Sequence, residues 1–316
     1  MQTPAGTVSG RHAPDRVGEH MQQALKNKKA IAFFILPALV MFLLIVFIPI
    51  IQSVQYSTLN WDGITDGKFI GFKNYINMVK DPVFRFSLRN SLLLAAASVF
   101  IQMPISMLLA LILANGVKGE NFFRNAFFIP VIISSTVIAN LWMKIYHPSY
   151  GLLNVLLKNM GLESWIREWL GSSSTALGAC FVPMIWKDIG YNMLLFYSSA
   201  KGIDSNIIEA AKVDGASRSQ ISWKIIMPMI TPMIEAVTIF CIVGSLKSFD
   251  MIFILTGGGP MNASTVLSME MYKEIFSNNH YGYASAIAIV IIVICLLFTV
   301  LVQKLFKPIL RKFGSD

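Results

Sequence analysis

The chain has 316 residues, of which 55% are apolar and only 14% charged, with a mean hydropathy of +0.61. Soluble globular chains carry about 45–50% apolar and about 25% charged residues, so this composition excludes a disordered chain, a disulfide scaffold and an ordinary soluble enzyme, and leaves a polytopic membrane protein of roughly six spans. The net charge of +9 would suggest nucleic acid in a soluble protein; in a membrane protein basic residues decorate the cytoplasmic side, and no nucleic-acid partner is expected.

Residues 1–29 are polar and read as a flexible cytoplasmic tail ending in Lys26, Lys28 and Lys29. Ala30 to Ile51 follows as 22 residues without a charge. It is too long for a signal-peptide core and lacks a small-residue cleavage site, so it is expected to stay as the first span. Residues 52–90 form an external loop, with a turn at Asn60-Trp61-Asp62-Gly63. Its aromatics Trp61, Phe69, Phe72 and Tyr75 suit an interfacial belt or a docking surface. The core, 91–306, contains five more apolar segments: Ser91–Ala114, Asn125–Tyr146, Thr175–Ser199, Met229–Met251 and Ala284–Phe306. Between the second and third of these, Gly161–Trp169 reads as a short amphipathic helix carrying Trp165 and Trp169. Residues 307–316 form a second cytoplasmic tail.

The fourth span carries Lys187 and Asp188, and the fifth Glu235 and Lys247. Such groups are costly against lipid and should face the bundle interior or water. Cys180, Cys241 and Cys295 sit singly in apolar segments and suit packing. His12, His20, His147 and His280 are scattered, so no metal site is expected. With the N-terminus inside, 15 Lys and Arg fall on the cytoplasmic side and 8 outside. The expected fold is therefore all-α and integral to the membrane, with six transmembrane helices and both termini cytoplasmic.

The loop 201–228 joins spans four and five. Asp204 is placed to N-cap a helix over Ile207–Val213, and Gly215 to end it in the left-handed region. A second helix is expected from Arg218 to Met227, at about a right angle to the first, ending before Pro228. Ile207, Ile208, Ala211, Ile221, Trp223 and Ile225 give the pair an apolar face. That face suits either lipid headgroups or a groove in a cytoplasmic partner.

The residues Glu209-Ala210-Ala211, Gly215, Ile225, Met227 and Pro228 resemble the coupling-helix signature of permease subunits in bacterial binding-protein-dependent ABC importers. Met227 stands where the pattern has Leu. Further motifs resemble the carbohydrate branch, the maltose-type permease subunits. They are Gly71-Phe72-Lys73-Asn74-Tyr75; Phe123-Arg124 with Pro130; Tyr150-Gly151 with Asn154; Trp186 with Gly190; Phe249-Asp250 with Leu255-Thr256-Gly257-Gly258-Gly259-Pro260; and Gly282-Tyr283-Ala284-Ser285-Ala286. The resemblance covers about residues 30–306 and implies a type I, MetI-like permease of the bacterial cytoplasmic (inner) membrane. It further implies a second homologous permease, an ATPase dimer and an external solute-binding protein as partners.

No Gly-x-x-x-x-Gly-Lys-Ser/Thr pattern is present, so the chain is expected to be no enzyme and to hold no cofactor. The resemblance puts ATP and Mg in the partner ATPase subunits. It also implies ATPase coupling through Glu209, Ala210, Ala211, Asp214, Gly215 and Pro228. Sugar-contacting positions fall on Lys187, Asp188, Tyr191, Gly244, Ser245 and Ser248. Asp188 with Tyr191, and Ser245 with Ser248, each share a helix face, and together they offer donors, acceptors and a stacking ring. Lys187 and Asp188 also suit mutual charge compensation, and Lys187 and Lys247 suit pairing in assembly. Two other functions fit the composition. One is the same architecture importing a glycerol phosphate ester, drawn by Lys187 and Lys247; the other is a stand-alone secondary transporter.

Overall fold

A computed structural model of the chain describes residues 28–312. Most of the expected N-terminal tail, and residues 313–316, lie outside the described residues. The described residues fall into two units, divided between Gln55 and Tyr56.

In the first unit, helix α1 runs Lys28–Phe42, widens to a π-turn over Leu43–Phe47 and continues over Ile48–Tyr56. No residue of its most apolar 18-residue window is buried within the chain. A helix apolar on every face and covered by nothing of its own suits lipid or another membrane helix.

The second unit opens with a two-residue antiparallel pair, β1 Leu59–Asn60 and β2 Lys68–Phe69. Helix α2 follows over Lys73–Lys80. Helix α3 then runs Pro82–Ala114, relaxed to a π-turn at Ser98–Gln102. It starts earlier than the apolar run Ser91–Ala114 because Asp81 caps it, accepting from the Val83 amide at 2.8 Å, with Pro82 in the first turn where no amide is needed.

The expected third span, Asn125–Tyr146, is not one helix. It breaks into α4, Glu120–Ile132, and α5, Ser135–Ile145, bent by 97°. Ile133 is extended, and Ser134 starts α5 afresh as N-cap, accepting from the Val137 amide. Apolar runs carry no mark of a bend when the breaking residues are themselves apolar or small.

After α6, Leu152–Asn159, the expected helix Gly161–Trp169 is also corrected. Only a 3-10 turn forms there, Glu163–Trp165. The buried Asn154 amide donates to the Pro148 and Arg167 carbonyls at 3.1 and 3.0 Å, and Trp169 Nε1 donates to Asn154 Oδ1 at 2.8 Å. These bonds draw the segment back over α6.

Helix α7 spans Ala176–Lys201, 26 residues and about 39 Å at 1.5 Å per residue. It packs along α3 and α4. Helices α8, Ser205–Val213, and α9, Arg218–Met229, form the 201–228 loop. The expectation that the second helix ends before Pro228 fails: Pro228 lies inside α9. A π-turn over Ser222–Ile226 precedes it, and the widened turn accommodates a residue without an amide.

Helix α10 covers Thr231–Leu246, so the expected fifth span Met229–Met251 is shortened. The chain breaks at Lys247–Phe249 and restarts as α11, Asp250–Thr256. Helices α12, Leu267–Phe276, and α13, Tyr281–Lys312, complete the unit, α13 packing on α10 and α12. Among the described residues, three helices are long and apolar enough to cross a membrane, and five if each bent pair counts as one span. Helix α7 has the length but carries Lys187 and Asp188.

Lipid is as apolar as Leu, so helices in a membrane are held by close packing rather than by exclusion of water. Gly190 shows how close. A Cβ there would sit on the Phe127 carbonyl, so α4 and α7 touch backbone to backbone.

Candidate functional site

A cavity of about 250 Å³ lies where α3, α7 and α10 face one another. Its lining includes Asp188, Tyr191, Gly244, Ser245 and Ser248. A second cavity, of about 200 Å³, shares Met184, Asp188 and Ser248 with the first and adds Ser135, Lys187, Lys247 and Asp250. The six positions carried over from the maltose-type pattern thus converge on two adjoining cavities, five on one and Lys187 on the other.

Their roles differ. Lys187 Nζ donates to Ser135 Oγ at 2.8 Å, which ties α7 to the start of α5. The buried Ser245 hydroxyl donates to the Cys241 carbonyl at 2.7 Å and sits 2.9 Å from Ser98 Oγ. It is engaged within the protein. Tyr191 leaves its ring 44% exposed. Gly244 has open space where a Cβ would stand, so it leaves room at the cavity wall.

The cavity contains polar residues that pattern reasoning did not select: Ser98, Gln102 and Asn192. A signal was available. Ser91, Ser98, Gln102 and Ser106 are all buried on α3, and their spacing follows one stripe of its otherwise apolar stretch from Ser91 to Ala114. A polar stripe in a span faces protein or water, never lipid.

The 201–228 loop is organised by caps. Asp204 accepts from the Asn206 amide at 2.9 Å and starts α8. Gly215, at φ +80°, ends it. The Ala216 amide donates to the Ala211 carbonyl at 2.9 Å and the Gly215 amide to the Lys212 carbonyl at 3.0 Å, which together form a Schellman turn. Ser217 and Gln220 then make a reciprocal capping box that starts α9.

The apolar face expected of this pair divides in two. Ile221 and Ile226 are buried, and Ile208, Ala211 and Ile225 pack against the same core, with Met107, Leu111, Met193 and Phe196. Ile207, Val213 and Trp223 remain exposed. Glu209 and Ala210 are exposed as well, and among the described residues Glu209 makes no ion pair. One side of the loop is therefore fixed to α3 and α7, while the other presents a carboxylate, a small residue and apolar side chains. Pro228 is half-buried within α9, and Asp214 supplies the last residue before the Gly215 turn.

Most other motif residues hold the scaffold. Asn74 donates to the Ser57 and Leu59 carbonyls at 2.8 and 2.9 Å, and the Tyr75 hydroxyl to Ser57 Oγ at 2.7 Å. A Cβ at Gly282 would collide with the Leu59 carbonyl. Thr265 Oγ1 donates to the Gly258 carbonyl at 3.0 Å, and Asn90 bonds the Ala263 and Thr265 carbonyls. Asp62 accepts from the Ile64 and Thr65 amides and the Thr65 hydroxyl, which makes the expected turn. Those backbone bonds hold its carboxyl below the usual range.

Near the start of α13, His280 pairs with Glu274 at 2.7 Å. The buried Glu270 carboxyl beside them is pushed up to about 7, by burial first and then by the charges of Glu274 and Asp81.

The family described as "Binding-protein-dependent transport system inner membrane component" matches residues 102–312. The chain is 41% identical over 285 residues to the probable ABC transporter permease protein YurN of Bacillus subtilis, covering 89% of this chain and 97% of that one. It is 32% identical to the multiple sugar-binding transport system permease protein MsmF of Streptococcus mutans, over 87% and 94% of the two chains. It is 30% identical to the trehalose/maltose transport system permease protein MalF of Thermococcus litoralis, over 85% and 91%. A chain of a bacterial alginate ABC transporter, crystallised in complex with an alginate pentasaccharide-bound periplasmic protein, shares the fold. Its TM-score is 0.78 at 23% identity, over 93% of this chain and 98% of that one.

Proposed function

The chain belongs to the family of binding-protein-dependent transport-system inner-membrane components, in its carbohydrate branch, and from that premise we propose how it works. It is a multi-pass membrane permease subunit of a binding-protein-dependent sugar importer. Permease subunits of this family are not themselves catalytic. ATP and Mg bind in a dimer of separate ATPase subunits on the cytoplasmic side of the inner membrane. A second, homologous permease completes the pathway, and an external solute-binding protein delivers the sugar. Six spans with both termini inside assign α1, α3, α4 with α5, α7, α10 and α13 to the membrane.

The observation that carries the reading is the joint placement of two sites on one set of helices. Asp188, Tyr191, Gly244, Ser245 and Ser248 line one cavity, and the same α7 packs on the fixed face of the 201–228 loop. Glu209 and Ala210 on the free face dock with an ATPase, and Ala211, packed on the core side, ties them to the fixed face. Closure of the ATPase moves α8 and α9 as a unit, because their buried face is part of the α3–α7 core. Motion then reaches the cavity through packed helices rather than through a flexible tether. The second cavity brings Lys187 and Lys247 together with Asp188 and Asp250. Two cations against two carboxylates suit a neutral, hydroxyl-rich solute better than a phosphate ester.

The test is uptake of labelled oligosaccharide by the reconstituted importer in proteoliposomes. Losing one hydrogen-bonding group from a wet cavity costs about 1–1.5 kcal/mol, near tenfold in affinity. Truncating a stacking ring costs roughly another 0.5–1.5 kcal/mol. Tyr191→Ala and Asp188→Ala are expected to lower uptake more than Ser245→Ala, whose hydroxyl is already engaged, with basal ATP hydrolysis intact. Parent-level uptake in the first two variants together with failure of the third would remove the cavity assignment.

A further inference from the structure

Helix α3 buries the polar side chains of Ser87, Asn90, Ser91, Ser98, Gln102 and Ser106. All but one are engaged within the protein. Ser87 donates to the Phe84 carbonyl at 2.9 Å. Asn90 donates to the Ala263 and Thr265 carbonyls, and Ser91 accepts from the Leu267 amide at 3.0 Å. Ser98 Oγ sits 2.9 Å from Ser245 Oγ. The Ser106 hydroxyl is shared between the Gln102 and Ile189 carbonyls, at 2.8 and 3.0 Å. The Gln102 carboxamide is the exception. It has no partner among the described residues, although the residue is only 5% exposed.

That carboxamide is not sealed in. Among the described residues, Trp142 Nε1 is the one unpartnered side-chain nitrogen or oxygen without accessible surface. The Gln102 amide therefore keeps a free edge, and the residue lines the cavity shared by α3, α7 and α10. It also ends the π-turn Ser98–Gln102, a local widening of the kind that recurs at functional positions in helices. Asn192 of α7 lines the same cavity. It is 3% exposed, and its Nδ2 donates to Cys241 Sγ at 3.2 Å, which leaves its Oδ1 unpartnered.

A buried carboxamide left unbonded costs free energy. Its two halves ask for different things, the oxygen for a donor and the nitrogen for an acceptor. A phosphate supplies acceptors and an ammonium supplies donors. Two adjacent sugar hydroxyls supply both, since each hydroxyl donates and accepts. A site that holds a hydroxyl by buried polar groups also rejects analogues that lack it there, because those groups are then left unpaired.

We infer that Gln102 is a specificity-determining residue of the sugar pathway. Its carboxamide spans two adjacent hydroxyls of the passing sugar, and Asn192 Oδ1 accepts from a third. The inference rests on the sugar-importer reading above and adds to it a contact on α3, outside the positions that the family pattern marks.

The test uses the purified importer, permeases with ATPase subunits in detergent and no binding protein. Binding is read as the rise in melting temperature with sugar concentration. ATP-dependent uptake in proteoliposomes first ranks maltotriose, cellotriose, mannotriose, xylotriose and chitotriose, and the best imported of these is the probe. Gln102→Met keeps the side-chain volume and removes the amide. It should weaken binding of the probe about tenfold and narrow the ranking among the five sugars. Its sugar-free melting temperature should equal or exceed the parent's, because an unpartnered polar group has become apolar. Ser106→Ala should show the reverse pattern, a lower sugar-free melting temperature with parent-like binding, since that hydroxyl ties α3 to α7. Should Gln102→Met fail to assemble, Gln102→Glu keeps the shape, loses the amide donor and carries the same comparison. Parent-like binding in the Gln102 variant overturns the inference and leaves the importer reading standing. So does weak binding joined to a lower sugar-free melting temperature, the mark of a scaffold residue. A parent importer that takes up none of the five sugars counts against the importer reading itself, and the inference falls with it.

Discussion

Substitution of Gly215 tests how the free face of α8 is held for coupling. The residue sits at φ +80°, and a Cβ placed on it meets nothing within 4 Å. The cost of Gly215→Ala is therefore almost wholly backbone, about 1–2 kcal/mol for an L-residue in the left-handed region. Against a turn of marginal local stability, that lowers the ratio of formed to unformed turn by a factor of roughly 5–30. Asparagine visits this region readily, so Gly215→Asn should lose less. Proline is excluded on two grounds. Its φ is fixed near −65°, and it removes the amide that donates to the Lys212 carbonyl at 3.0 Å, a further loss of about 0.5–1.5 kcal/mol. The expected order of ATP hydrolysis stimulated by loaded binding protein is parent, Asn, Ala, Pro. Basal hydrolysis and membrane insertion should be retained, because the buried anchors Ile221 and Ile226 are untouched. If Asn fell below Ala, the backbone argument would be refuted. If Ala fell as far as Pro, the glycine would be serving close approach to the ATPase instead.

Glu270 predicts a pH effect on stability. Its folded-state pKa of about 7 lies above the ordinary 4.5, so between those values the folded chain holds a proton that the unfolded chain releases. Stability should fall as pH rises through that window, by at most about 3 kcal/mol, and Glu270→Gln should flatten the trend; parallel melting profiles from pH 5 to 8 in detergent would contradict this. Gly190→Ala should destabilise the chain by about 1–3 kcal/mol or more, because the new methyl meets the Phe127 backbone rather than a yielding side chain. Gly244→Ala, with open space at the same atom, is the control, and equal melting temperatures for the two would count against backbone contact between α4 and α7.

The 201–228 loop was legible from residue types alone because its determinants are local. Asp204 and Gly215 act within a few residues of themselves, and the structure puts both where the sequence places them; the Ser217–Gln220 box is equally local and was an unused clue. The approximate position of the long apolar helices was legible for a similar reason, since length and apolarity are properties of a run. The cavity-lining positions on α7 and α10 came through the family pattern, and the sequence offered the α3 polar stripe as an unused clue.

What no local reading contained was the bend at Ile133–Ser134, the break at Lys247–Phe249 and the passage of α9 through Pro228. Each is a compromise between a helix that could continue and neighbours that need it elsewhere. The folding of the 166–175 segment over Asn154 and the convergence of Ser98, Asn192 and Ser245 on one cavity depend on residues well separated in sequence. Capping and hydropathy act over a few residues and are written in order along the chain. Cavities and bends are set by which distant backbones approach closely enough to touch, and only the folded arrangement decides that.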